Sequence, residues 1–206
     1  MILLTDCHYF PTITFYKKAI NFSHIKIDVY DSFRKMTFRN RCVVAGTNGP
    51  INLSVPLVEG REQKRPLKEV RIATGLDWQG QHWKTITSCY NRSPWFEFYR
   101  DDLELLYRKK VDFLVDWNLA CFDWMLAKSG LDMTADLTDS YQEIYPETVT
   151  DWRNAITPKL LQNGPEEPVR YTQVFEQKLG FIPHLSILDL LFCEGKNMVK
   201  KLGTGD

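Results

Sequence analysis

Apolar and polar positions change period several times along this 206-residue chain, and each change predicts an element. Ile2 to Leu4 is a short apolar run of the kind a buried strand makes. Phe15, Tyr16, Ala19 and Ile20 fall at helical spacing, which predicts a helix over 12–20 after the Tyr9-Phe10-Pro11 turn. From 24 to 30 the pattern alternates: Ile25, Ile27 and Val29 share one face, as in a half-buried strand. Strand, helix and strand in that order open an α/β domain.

The next alternation predicts a hairpin. Cys42 to Ala45 is one strand, and Ile51, Leu53, Val55 and Leu57 alternate with polar positions in the other. Between them Gly46-Thr47-Asn48-Gly49-Pro50 has turn chemistry, with Asn-Gly tolerating positive φ. Pro56 cannot donate to a ladder, so the second strand lies at an edge or ends there. Residues 59–68 are charged and carry Gly60 and Pro66, which predicts an exposed loop, and 70–73 is a candidate strand.

A helical middle follows. Asp77 is placed to cap a helix whose stripe is Trp83, Ile86 and Tyr90. Ser93-Pro94 reads as the N-cap and first residue of a second, with Trp95, Phe98, Tyr99, Leu103 and Leu106 as its apolar side. Val111, Leu114, Val115, Leu119, Phe122, Met125 and Leu126 make the stripe of a third, closed by Gly130; Asn118 falls inside that stripe. Residues 133–168 are irregular and proline-rich, with a short strand expected at 134–137 and the rest packed back on the body. Ser186 reads as the N-cap of a last helix, with Asp189 completing an acidic capping box and Leu185 and Leu190 a hydrophobic staple. That helix has almost no polar face, so it is expected to be buried, with Gly195 ending it. The expected fold is thus α/β: a single domain over 1–206 with a mixed sheet, a helical middle section and a buried C-terminal helix.

Composition narrows the function classes. Lys and Arg number 26 and so do Asp and Glu, giving zero formal net charge. A dedicated nucleic-acid binder would carry a basic excess, so no nucleic-acid partner is expected. No apolar run reaches the roughly 18 residues a membrane span needs, and Met1-Ile2-Leu3-Leu4 passes at once into polar Thr5, Asp6 and His8. No membrane association and a cytoplasmic location are expected. The five scattered cysteines, with no C-x-x-C pair, read as reduced and mostly buried. The histidines lack zinc spacing, so no metal site is expected, and no nucleotide-loop or nucleophile-elbow motif points to a cofactor or a serine hydrolase.

An ordered set of motifs runs along most of the chain: Tyr9-Phe10-Pro11, Phe38-Arg39-Asn40-Arg41-Cys42, Asn48-Gly49-Pro50, Leu53-Ser54-Val55-Pro56, Trp78-x-x-x-His82-Trp83, Tyr90 and Ser93-Pro94-x-Phe96. Asp116-Trp117-Asn118, Tyr171-x-Gln173-x-Phe175 and the run from Gly180 to Phe192 complete it. This set resembles the WbqC-like family. Relatives often carry a small or amide-bearing polar run where this chain has Asp6-Cys7-His8, and Asn where it has His184. The resemblance implies a role in O-antigen or other surface-polysaccharide synthesis, with acyl or aminoacyl transfer to a nucleotide-linked amino sugar as the implied reaction type. It assigns no nucleophile or base.

The candidate chemistry is weighed residue by residue. In an extended segment Arg39 and Arg41 share a face, and with Arg34 and Lys35 they form a basic patch suited to a diphosphate or another anionic small molecule. The alternative is a charge cluster that protects a strand edge. His82 is the candidate proton carrier; the alternative is a packed ring beside an aromatic stripe. Asn118 either reaches a ligand or ties a loop. Tyr9, Asn40, Trp83 and Tyr90 complete the expected binding residues, because they sit in matched segments. Cys7 and His8 are adjacent and would point to opposite sides of a strand, so they do not form a dyad with each other. Asp189 is explained by its capping position. The leading function is a transferase-like enzyme acting on nucleotide-linked amino sugars. The rival is a non-catalytic module that binds a nucleotide sugar or a partner of the same pathway.

Overall fold

A computed structural model describes residues 1–203. Its centre is a four-stranded parallel sheet of β1 (Ile2–Asp6), β2 (His24–Asp28), β5 (Thr134–Leu137) and β6 (Val149–Asp151), in the order β5-β2-β1-β6. β3 (Arg41–Gly46) and β4 (Gly49–Ser54) form a separate antiparallel hairpin. The class is as expected, with parallel and antiparallel pairing kept in two different sheets, and the helix opened by Ser186 is buried as expected but is not the last one.

The β1–α1–β2 unit follows from its pattern. Leu3 and Leu4 are buried on the two faces of β1, and Ile25 and Ile27 on one face of β2. Helix α1 (Ile13–Ala19) starts where Thr12 accepts the Phe15 N–H at 3.2 Å. In the hairpin the two turn residues are Thr47 and Asn48, and only Gly49 of the Asn48-Gly49 pair has positive φ, at 123°. Residues 70–73 make only isolated bridges, Leu57 with Ile72 and Arg71 with Phe113.

The middle contains α2 (Trp78–Tyr90), α3 (Phe96–Tyr107) and α4 (Leu114–Ser129). Asp77 caps α2 by accepting the Gly80 N–H. Ser93 does not cap α3, which begins three residues later; its hydroxyl donates to Tyr90 O, finishing α2. The buried side of α3 is Phe96, Tyr99, Leu103, Leu106 and Tyr107, whereas Trp95 and Phe98 face outward. Asn118 is fully buried in α4.

The irregular stretch 133–168 yields β5, β6 and α5 (Pro158–Asn163), so much of it belongs to the sheet. A four-residue helix α6 (Glu176–Leu179) precedes α7 (Ile187–Glu194), the buried helix, which Ser186 caps through the Leu188 N–H. Ser186 also donates to Phe10 O and its N–H to Val43 O, tying α7 to the β1–α1 turn and to β3. Gly195 ends α7 at φ 56°, and α8 (Met198–Gly203) follows. The apolar core lies between the parallel sheet, α4 and α7. Among the described residues no helix is long and apolar enough to cross a membrane.

Candidate functional site

The parallel sheet brings its C-terminal strand ends to one edge. The chain leaves β1 towards β2 on one side and returns as β6 on the other. The space beyond the ends of β1 and β6 is therefore the switch point at which open α/β sheets bind ligands. Register sets Asp6 opposite Asp28 and Leu4 opposite Asp151, so three strands deliver aspartates there. Asp28 accepts the N–H groups of Tyr30 (2.9 Å) and Asp31 (3.1 Å), and this turn brings in Asp31. Asn154, at φ 61°, uses the left-handed conformation its side chain tolerates, and its N–H meets Asp6 Oδ2 at 2.7 Å.

Arg39 lies at the centre and is only 1% exposed. Its Nη2 donates to Asp6 Oδ1 at 2.5 Å, Asp31 Oδ2 at 2.6 Å and Asn154 Oδ1 at 3.3 Å. Burial pushes the Asp6 carboxyl up, but His8, Arg39 and the Asn154 N–H together outweigh it and hold it below its ordinary range. Arg153 donates to Asp28 Oδ2 (3.1 Å) and Asp151 Oδ2 (2.6 Å), between the rings of Tyr141 and Tyr145. Outside this layer an open cleft of about 330 Å³ is lined by Asp31, Arg34, Tyr141, Asp151, Arg153 and Asn154. Arg34 is its free-ranging cation: the side chain is 55% exposed, with Nη2 3.8 Å from Asp31 Oδ1.

Inside the layer sits His8, flanked by the rings of Phe15 and Phe38. Neither ring nitrogen has a hydrogen-bond partner, and its nearest charge is Asp6 Oδ2, 3.6 Å from Nε2. Asn118 Oδ1 and Arg39 Nη1 are likewise buried without partners. His8, Asp6, Thr5 and Asn118 share one small cavity. An unpartnered buried polar atom costs about 1–3 kcal/mol, so several at one sheet edge mark a place organised for more than packing.

The sequence-predicted residues fall in three groups. Arg39 and Asn118 belong to this edge, with Asn118 Nδ2 donating to Arg39 O (2.7 Å) and Cys7 O (3.1 Å). Tyr9, His82 and Trp83 lie together elsewhere. The Tyr9 hydroxyl is 3.0 Å from His82 Nδ1 and 2.5 Å from the Tyr107 hydroxyl, and Trp83 packs on Tyr107. Burial pushes the His82 pKa down to about 4, against a weaker main-chain contact with Ser54. Tyr90 is a third location: its hydroxyl accepts the Ala45 N–H and donates to Asp189 at 2.6 Å.

Three expectations change with this geometry. Residues 37–40 are bent rather than extended, so the two-residue spacing does not set Arg39 and Arg41 side by side. Asn40 caps its neighbour Val55 O at 3.1 Å, and Arg41 stays half-buried in β3. Asp189 is no capping acid: it is fully buried, accepts hydroxyls from Tyr90 and from Tyr171 (2.5 Å), and burial pushes its pKa up to about 6 against those two bonds.

Asp31, Asp151, Arg153 and Asn154 were missed, and Asp6 and His8 were noted without a role. The available signal was an aspartate near the end of each of two predicted strands, Asp6 just beyond 2–4 and Asp28 late in 24–30. Every carboxylate of the layer is held by a guanidinium or an N–H, and among the described residues no group of His, Cys, Asp and Glu is arranged to hold a metal.

The WbqC-like protein family model matches residues 7–164. The chain belongs to the WbqC-like family. The matched span holds Arg39, His8, Asn154 and all the residues of the cleft, while the motifs quoted from Tyr171 to Phe192 lie beyond it. No curated protein and no solved structure matches the chain.

Proposed function

We propose that this WbqC-like protein acts on a nucleotide-linked amino sugar in surface-polysaccharide precursor synthesis, as a group-transfer enzyme, at the cleft beyond β1 and β6. The observation that carries this reading is the mixed charge of the cleft. Asp31 and Asp151 suit the amine and hydroxyls of an amino sugar, Arg34 suits a phosphate, and the half-exposed Tyr141 offers a stacking face. A bare anion site would not be ringed with carboxylates.

Arg39 is then a positioning residue, because its Nη2 already serves Asp6 and Asp31. The proton acceptor is His8 rather than His82. Among the described residues His24, His82 and His184 each have a side-chain hydrogen-bond partner, and His8 has none. Asp6 Oδ2 lies 3.6 Å from its Nε2.

The test is calorimetric titration with UDP-N-acetylglucosamine and UDP-glucosamine. Arg34→Ala should weaken binding roughly tenfold or more, the worth of a charge-assisted hydrogen bond of about 1.5–3 kcal/mol. Equal binding by R34A would remove the cleft as the site. His8→Gln should keep binding and lose transfer; transfer retained in H8Q would remove His8 as proton acceptor. A second reading, a non-catalytic nucleotide-sugar binder, is favoured by the depth of His8, which is 3% exposed. It predicts that R34A weakens binding while the wild-type chain transfers nothing.

A further inference from the structure

Helix α3 and Trp95, which caps it, carry apolar residues on the side that faces away from the core. Phe98 is 69% exposed, Leu105 61% and Trp95 43%. Spacings of three and seven put them on one stripe. Beside that stripe lies an open groove of about 580 Å³ between α3 and α4, whose lining mixes apolar residues, among them Leu119, Ala120 and Trp124, with charged ones, among them Lys109, Asp116 and Asp123. Ala120 and Ala127 let another helix approach closely. A ridge and a groove therefore sit next to each other on one face. Isolated exposed apolar residues are ordinary; here Phe98 and Leu105 stand on one side of α3 with the exposed Asp101 and Asp102 between them, beside a groove, an arrangement that suits a partner bringing both apolar and basic groups.

The charges on α3 say what covers it. Glu97, Asp101 and Asp102 lie in the first half of the helix, and Arg108, Lys109 and Lys110 follow its last residue, with Leu105 between. An antiparallel copy of the same helix, crossing at Leu105, would face positions equally far before and after that residue. Asp101 then meets Lys109 of the second copy, and Asp102 meets Arg108. Asp102 and Arg108 already have partners in their own chain, Lys128 and Glu104. Among the described residues Asp101 and Lys109 form no ion pair, so they are the pair that a second copy would complete. The same crossing carries Phe98 about 10 Å from Leu105, at 1.5 Å per residue. That places it over the first turns of the other copy's α4, where Leu119 and Ala120 leave room. A face that is complementary to itself under a twofold rotation is the requirement for an isologous dimer.

We propose that the α3–α4 face is a homodimer interface, with Leu105 at the twofold axis, Phe98 seated in the groove of the second copy and Asp101 paired with its Lys109. The interface is separate from the cleft beyond β1 and β6 and does not depend on the function assigned there.

Sedimentation velocity on the full chain tests it. The wild-type chain should sediment as a dimer at micromolar concentration. Leu105→Glu should weaken dimerisation roughly thirtyfold or more, as loss of a central anchor does. Asp101→Lys sets like charges together and should weaken it roughly tenfold, and D101K/K109D should restore it. Both positions are exposed, so circular dichroism of each variant should match wild type. A monomeric wild-type chain at its highest soluble concentration overturns the proposal, whatever other protein the groove takes. So does a dimer that L105E leaves intact, or a D101K defect that K109D fails to repair.

Discussion

A histidine works as a base when a ring nitrogen is free and the pKa lies near the working pH. His82 fits this poorly, since Tyr9 engages its Nδ1 and burial lowers its pKa to about 4. The sign of its effect on stability follows. Between pH 4 and about 6.5 the unfolded chain protonates this ring and the folded chain does not. Its contribution is complete above about pH 6.5 and is lost as pH falls towards 4. His82→Gln should therefore flatten this part of the stability curve, read as urea midpoints at pH 7 and pH 5; an unchanged difference would mean the folded ring titrates normally. Asp189 works in the opposite direction. Its folded pKa of about 6 stands above the unfolded value, so the folded chain holds the extra proton. Stability from this group is full below about pH 4 and declines as pH rises through 6. Asp189→Asn cannot lose that proton, so its stability deficit against wild type should shrink between pH 4 and pH 7. A deficit that grows with pH would mean that the carboxylate is ionised and stabilised by Tyr90 and Tyr171.

Elements with a strong period were legible in the chain, and those set by capping or by distant partners were not. The β1–α1–β2 opening, the hairpin, α4 and α7 all follow from where apolar residues recur. The start of α3 did not, because Ser93-Pro94 has the chemistry of an N-cap and its hydroxyl instead finishes the preceding helix. The error shifted the apparent apolar side of α3 and hid the outward position of Phe98. β6 was illegible for another reason: three residues among prolines carry no periodicity, and only pairing with β1 makes them a strand. Helix ends also carry a testable contrast. Gly130 and Gly195 both close helices at positive φ, 76° and 56°. A Cβ at Gly130 meets nothing within 4 Å, whereas at Gly195 it comes within 2.6 Å of the Trp95 ring. Gly130→Ala should cost only backbone strain, about 1–2 kcal/mol. Gly195→Ala should cost clearly more, because the indole must shift as well. Equal losses in thermal unfolding would mean that Trp95 yields freely.

Across the whole molecule, the candidate site gathers side chains from segments far apart in sequence. Asp6 ends β1, Asp31 follows β2, Arg39 precedes β3 and Asn154 follows β6. No local spacing announces such a set, which is why the arginines were visible as a basic patch and their carboxylate partners were not. The consequence for Arg39 reverses the expectation of a surface anion anchor, whose removal would leave stability untouched. Its Nη2 joins three strand ends, and Asn118 ties its carbonyl to α4. Arg39→Met would leave Asp6 and Asp31 buried with no guanidinium between them. Removing one partner of a buried ion pair costs about 3–5 kcal/mol, so R39M should unfold at markedly lower urea concentration than wild type. Arg34→Ala removes an exposed side chain whose nearest carboxylate is 3.8 Å away, and should leave the midpoint within experimental error. The pair of variants separates architecture from recognition: R39M loses stability, and R34A loses nucleotide-sugar binding alone. If R39M kept its midpoint and lost only binding, Arg39 itself would be the anion anchor, and the carboxylates around it would be its resting partners.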